Sequence, residues 1–296
     1  MVFAFMMKKR NSLIVFCLII IVLVGVASIL GIISGSKTDY DIVTSVRGEE
    51  YKMITQGLYK YNSQRMVAEG VGWDYFTLIV AIPLMLLLLP RIYRYSLRAK
   101  LFAIGLLLYF FYQYFMYALG WAFGPLFLLF IFIFGLSLIG VVWIISLIDV
   151  SELTNDITDS FPRKSIAFLC YFIGVLLIFM WLKRIVAGLQ GDLEEGMLLG
   201  QTTMVIQALD LGLIVPLAIF TGILVIKRKP LGYLLSPIVL VKAMAMAGAI
   251  LAMLISAWIN EGGLDTAPFV LFLIIFVISV ILAIQTFQSI HEKNEK

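Results

Sequence analysis

The sequence predicts an all-α membrane protein of eight transmembrane helices with both chain ends inside, and three observations carry that expectation. Apolar residues make up 62% of the chain and charged ones only 14%, against the roughly 25% with which a soluble domain covers its surface. The apolar residues fall in runs of about 20, the length that spans a hydrocarbon core at ~1.5 Å per residue. Lys and Arg gather in alternate connections between those runs, as basic loops do when they stay on the cytoplasmic side. The net charge of +4 is therefore a matter of sidedness and implies no nucleic-acid partner. The expected partner is the lipid bilayer, and the composition leaves the oligomeric state open.

The first span, 13–33, follows Lys8-Lys9-Arg10, which hold the N-terminus inside. It exceeds the roughly 7–15 apolar residues of a signal peptide and reads as a retained anchor. Residues 34–73 form the longest polar stretch, outside by alternation. Within it, Ile42, Val43, Val46, Tyr51, Met53 and Ile54 flank Arg47-Gly48, which suits a small hairpin cap or an irregular loop on the membrane face. The second span, 75–89, contains Pro83 and ends at the inner residues Arg91, Arg94, Arg98 and Lys100. The third and fourth spans, 101–119 and 126–148, are joined by a tight outer turn.

The inner linker, 149–164, is acidic before it is basic. Asp149, Glu152 and Asp156 would share one helical stripe, a cation site or a solvated face. Spans five to eight cover 165–182, 203–226, 231–258 and 269–287, leaving an inner tail with Lys293 and Lys296.

The second and sixth spans read alike. Asp74, Leu78-Ile79-Val80 and Pro83-Leu84 can be laid over Asp210, Leu213-Ile214-Val215 and Pro216-Leu217. The chain then divides into 1–148, the linker 149–164, and 165–296, two parallel four-helix repeats related by an axis along the membrane normal. Chance alignment of common membrane residues is the alternative.

Chemistry is bounded by what the spans lack. His291, the one histidine, lies in the tail, and Cys17 and Cys170 sit singly in apolar runs. This composition offers no bis-histidine haem site, no His-ligated zinc and no Ser–His or Cys–His pair within the membrane, so no cofactor, metal or catalytic residue is assigned.

Asp210 and Lys242 lie well inside apolar spans, where a lone charge costs at least ~2.5–3.5 kcal/mol. Their depths differ by about 4–5 Å at 1.5 Å per residue, so they are expected to approach each other across the hairpin of spans six and seven. They form a binding or coupling site, or an ion pair that fixes register. Thr203, Gln207 and Asp210 share a face of span six that would line an outward cavity or bond to other helices.

Pro216 and Pro237 interrupt spans six and seven, as Pro83 interrupts span two. Each frees a carbonyl for a neighbour, water or a ligand. Small residues from Ala243 to Ala252 make span seven a central helix. Tyr109, Tyr112 and Gln113 share a face of span three, and their polar atoms need partners from a substrate or from other helices. Asp74 reads as an interfacial helix cap, with a second acid in an outer vestibule as the alternative.

The stretch from Gln207 to Lys242 and Gly57-Leu58-Tyr59-Lys60-Tyr61 resemble bacterial multi-pass membrane proteins of no assigned activity. The resemblance covers most of the chain, implies a bacterial cytoplasmic membrane, and transfers no functional residue. The function these features favour is a secondary transporter or flippase-like carrier of a small or amphipathic solute or ion. A sensor or assembly protein using residues 34–73 is the second reading. An aspartyl enzyme built on Asp74 and Asp210 is a third, weakened because Gly70-Val71-Gly72-Trp73-Asp74 lacks Gly immediately before Asp. A Schiff base on Lys242, with Asp210 as counter-ion, is a remote fourth.

Overall fold

Backbone polar groups have no water to bond in a bilayer, so each apolar run must satisfy its own as a helix. The computed structural model describes residues 2–35, 39–192 and 198–292, and among them eight helices are long and apolar enough to cross a membrane. They are α1 (Val2–Gly35), α2 (Gln64–Tyr93), α3 (Leu97–Gly120), α4 (Phe127–Ile145), α5 (Arg163–Leu189), α6 (Val205–Ile226), α7 (Pro230–Glu261) and α8 (Thr266–Gln288). Ile79, Leu87, Phe168 and Phe179 stand exposed on the outer wall, where lipid is the solvent. Lys293 and Lys296, and the side chains of Lys8, Lys9 and Arg10, lie outside the described residues.

Helices α3 and α7 form the centre. Buried residues make up 78% and 50% of their apolar windows, against 22–39% in the other six. Small residues bring backbones together there. A Cβ on Gly105 of α3 would strike Val241 of α7, and one on Gly72 of α2 would strike the backbone carbonyl of Ala252. Around this centre α1 packs on α2 as α5 packs on α6, and α3 packs on α4 as α7 packs on α8.

Three sequence expectations are corrected. Helix α2 begins at Gln64 rather than 75, with Ser63 as N-cap accepting from the Met66 N–H. Its first turns look polar, but Val67, Gly70, Val71, Gly72, Trp73 and Asp74 are buried, and the segment packs against α7. Pro237 does not break α7, which runs unbroken from Pro230 to Glu261. The inner linker holds only a short 3-10 turn (Leu153–Asp156), so Asp149, Glu152 and Asp156 form no helical stripe, and Asp149 instead accepts from Ser151.

Pro83 and Pro216 do mark special backbone. In α2 the residues Thr77–Ala81 form a π turn, and in α6 the residues Asp210–Ile214 form another. The residue before each proline donates to the carbonyl five positions back, Ile82 to Thr77 and Val215 to Asp210. A proline can neither donate a backbone bond nor fit behind a regular turn, and the wide turn absorbs the misfit.

At one end of the bundle residues 40–54 form an antiparallel hairpin, β1 (Tyr40–Thr44) with β2 (Glu50–Ile54), turning at Gly48 with φ 88°. At the other end Ile290 pairs with Ile157, and the His291 N–H donates to the Asp156 carbonyl.

Candidate functional site

The two π turns place polar side chains in the core, and the yardstick they share is the proline. Counted back from it, Asp210 corresponds to Thr77 and not to Asp74, which lies one turn earlier. The laying of Asp74 over Asp210 is thereby corrected, because proline sets the register of the turn and Leu-Ile-Val does not.

Asp74 is fully buried and caps nothing, contrary to the interfacial reading. Its Oδ2 accepts from the Tyr59 hydroxyl at 2.8 Å, and its Oδ1 from Gln113 Nε2 at 3.3 Å and the Tyr117 hydroxyl at 3.5 Å. The single Tyr117 hydroxyl proton is shared with the Gly70 carbonyl, the nearer acceptor at 3.1 Å. Thr77 Oγ1 lies 2.8 Å from Gln113 Oε1 and 2.7 Å from the Tyr109 hydroxyl. An amide oxygen only accepts, so Thr77 gives its one proton to Gln113 and receives that of Tyr109. Gly31 of α1 leaves the room this network needs, since a Cβ there would overlap both Asp74 Oδ2 and the Tyr59 hydroxyl. Tyr59 lies outside the spans, and burial together with the Asp74 carboxylate pushes its hydroxyl well above the ordinary tyrosine range.

Asp210 opens the second π turn and is 8% exposed. Its Oδ1 accepts from the Tyr112 hydroxyl of α3 at 2.7 Å and its Oδ2 from the Trp181 indole N–H of α5 at 2.8 Å. The Arg184 guanidinium lies 5.5 Å from the Trp181 ring. Lys242 of α7 is equally buried, with Nζ 4.4 Å from the centre of the Tyr112 ring. Among the described residues no ion pair joins Lys242 to Asp210. The two charges interact across the hairpin without a direct pair, and one tyrosine meets the carboxylate through its hydroxyl and the ammonium through its face.

The Tyr109, Tyr112 and Gln113 face therefore divides between two sites. Tyr109 and Gln113, one turn apart, reach α2, and Tyr112 reaches α6. The Thr203–Gln207–Asp210 stripe is divided too. Gln207 is buried a turn before Asp210, whereas Thr203 is exposed and precedes the helix. A cavity of about 210 Å³ at the hairpin end is lined by Tyr51, Asn62, Trp121, Gln201, Thr203 and Val205, and stops short of Gln207. The hairpin turn holds the rim of this cavity. Arg47 donates to the carbonyls of Gln201 and Thr202, and Glu49 accepts from the N–H groups of Leu199 and Gly200.

Among the described residues no hydrogen bond joins Asp74 to Asp210 and they share no partner, so they lack the shared proton of aspartyl chemistry. Trp181, Tyr59, Thr77 and Tyr117 escaped the sequence reading. Thr77 alone carried a signal, its distance from Pro83; the others read as interface aromatics or loop. Compared with known proteins, the chain matches no family model, no curated protein and no solved structure.

Proposed function

We propose that this integral membrane protein is a secondary carrier of a small or amphipathic solute, coupled through a proton or cation at Asp210. The observation that carries this reading is a buried carboxylate at the mouth of a π turn, touched by the neutral donors Tyr112 and Trp181, with the Lys242 ammonium across the tyrosine ring. Intramembrane ionisable groups beside interrupted helices are where carriers bind and release ions. The Asp74 network, with a neutral donor on each carboxylate oxygen and Gly31 pressed against it, serves as the fixed counterpart that anchors the residue 59 segment. In this reading the hairpin end faces outside, both chain ends face inside, and helices α1–α4 and α5–α8 are parallel repeats. Matched packing and matched π turns support the repeat.

The test uses proteoliposomes with an internal pH dye and a mixture of small solutes outside. An imposed proton gradient should collapse faster with the wild type than in empty vesicles. Asp210→Asn should return to the empty-vesicle rate while keeping its unfolding temperature. A wild type no faster than empty vesicles would leave Asp210 as a structural residue.

A second reading, a sensor or assembly protein, draws on the hairpin, where Val46 is 95% and Ile42 69% exposed. Under it, Ile42→Ser with Val46→Asp would abolish capture of a membrane partner and leave proton movement untouched.

A further inference from the structure

Lys242 presents a charge problem that the carrier reading leaves open. Its side chain is more than nine-tenths buried, and its amino group has the Tyr112 ring on one side but donates no hydrogen bond to any described residue. The rest of its helix face is Met246, Ala249 and Met253, which offer only weak thioether acceptors and no charge. Trp73, 2% exposed with its ring centre 6.2 Å from that of Tyr112, does not supply the missing partner, because its indole N–H is itself a donor and lies toward the Tyr109 hydroxyl. A buried ammonium thus lies against one tyrosine whose hydroxyl is already committed to Asp210. Buried donors without acceptors are costly, and this arrangement lacks an acceptor bearing negative charge.

We propose that Lys242 binds a small monovalent anion, carried together with the proton of Asp210; the proposal rests on the carrier reading. The groups that face Asp210 are Tyr112 from α3, Trp181 with Arg184 behind its ring from α5, and Lys242 from α7. With Asp210 ionised, carboxylate and ammonium balance across the tyrosine ring. A proton on Asp210 removes the negative charge and leaves the ammonium uncompensated. An anion at Lys242 restores neutrality, so each ligand favours the other, as reciprocal linkage requires. The loaded site holds one proton and one anion more than the empty one, and the transported unit is electroneutral. No covalent bond forms or breaks.

The experiment is proton uptake by full-length protein in proteoliposomes, acid outside, with chloride, nitrate, L-lactate or the bulky gluconate as external anion. Empty vesicles set the leak. Internal acidification should require one of the three small anions, carry one anion per proton by radiotracer, and ignore a potassium–valinomycin potential. Lys242→Met should lower the anion-dependent rate about tenfold or more, the scale of loss when one partner of a buried charge pair is removed. Lys242→Arg should retain part of it, and unfolding temperatures separate that loss from misfolding.

Proton entry that is equal in gluconate and driven by the potential would overturn the anion and keep the carrier. Full anion dependence in Lys242→Met would overturn the assignment to Lys242. No proton entry with any anion would overturn the carrier reading and this one with it.

Discussion

Tyr59 is a loop tyrosine whose hydroxyl is drawn into the bundle to hold a buried carboxylate. Its replacement by Phe would leave Asp74 Oδ2 without that donor, at a cost of about 1–3 kcal/mol. The hydroxyl titrates well above the usual range in the fold, while an unfolded tyrosine ionises near about 10. The contribution is therefore whole below that pH and is lost as pH rises toward the folded value. Tyr59→Phe should lower the unfolding midpoint near neutral pH and flatten its alkaline decline, both readable by thermal unfolding in detergent. Gly31→Ala should reproduce the first effect, because its methyl would occupy the space of the same bond. Little of this was legible in the sequence. A tyrosine in a polar stretch and a glycine in an apolar run have no spacing that links them, and only the packing of α1 against α2 does so.

At the scale of elements, the two prolines and the π turns ahead of them orient the polar core. Without the ring of Pro216 the backbone can return to regular α-helical bonding, which turns Asp210 away from Tyr112 and Trp181. Pro216→Ala should therefore leave thermal stability equal or higher, yet abolish proton movement in proteoliposomes. Loss of stability in parallel with activity would show the turn to be a packing feature. The sequence marked Pro83, Pro216 and Pro237 alike, and the difference between them is tertiary. The first two sit at lipid-exposed positions behind wide turns, whereas Pro237 is buried in a helix that continues through it.

Across the whole molecule, both ends of the bundle tie the first four helices to the last four. At the hairpin end Arg65 of α2 bonds Glu69 at 2.6 Å and reaches Glu261 at 3.1 Å and Asp265 at 3.0 Å near the α7–α8 turn. At the tail end Arg98 donates to the Ile290 carbonyl and Ser96 to Glu292. The Arg65 acids are part-exposed, so the cluster contributes little, about 1 kcal/mol, and salt screens it. Arg65→Ala should lower the unfolding midpoint slightly at low salt, with the difference vanishing near molar salt. An equal loss at all salt concentrations would mean that the arginine stem, not its charge, holds the two segments together.

Composition and run length alone determined that this is a multi-pass helical membrane protein, because transfer of backbone and side chains to lipid depends on local sequence and little else. They also marked Asp210 and Lys242, since a charge in an apolar run stands out wherever the helix packs. The tertiary structure decided which groups meet. Tyr112 comes between the acid and the lysine, Trp181 completes the carboxylate, Thr77 takes the place assigned to Asp74, and residues 64–74 lie inside the bundle. Those outcomes depend on helix rotation and on backbone approach at Gly72 and Gly105, which arise from contacts between segments far apart in the chain and leave no period in any one of them.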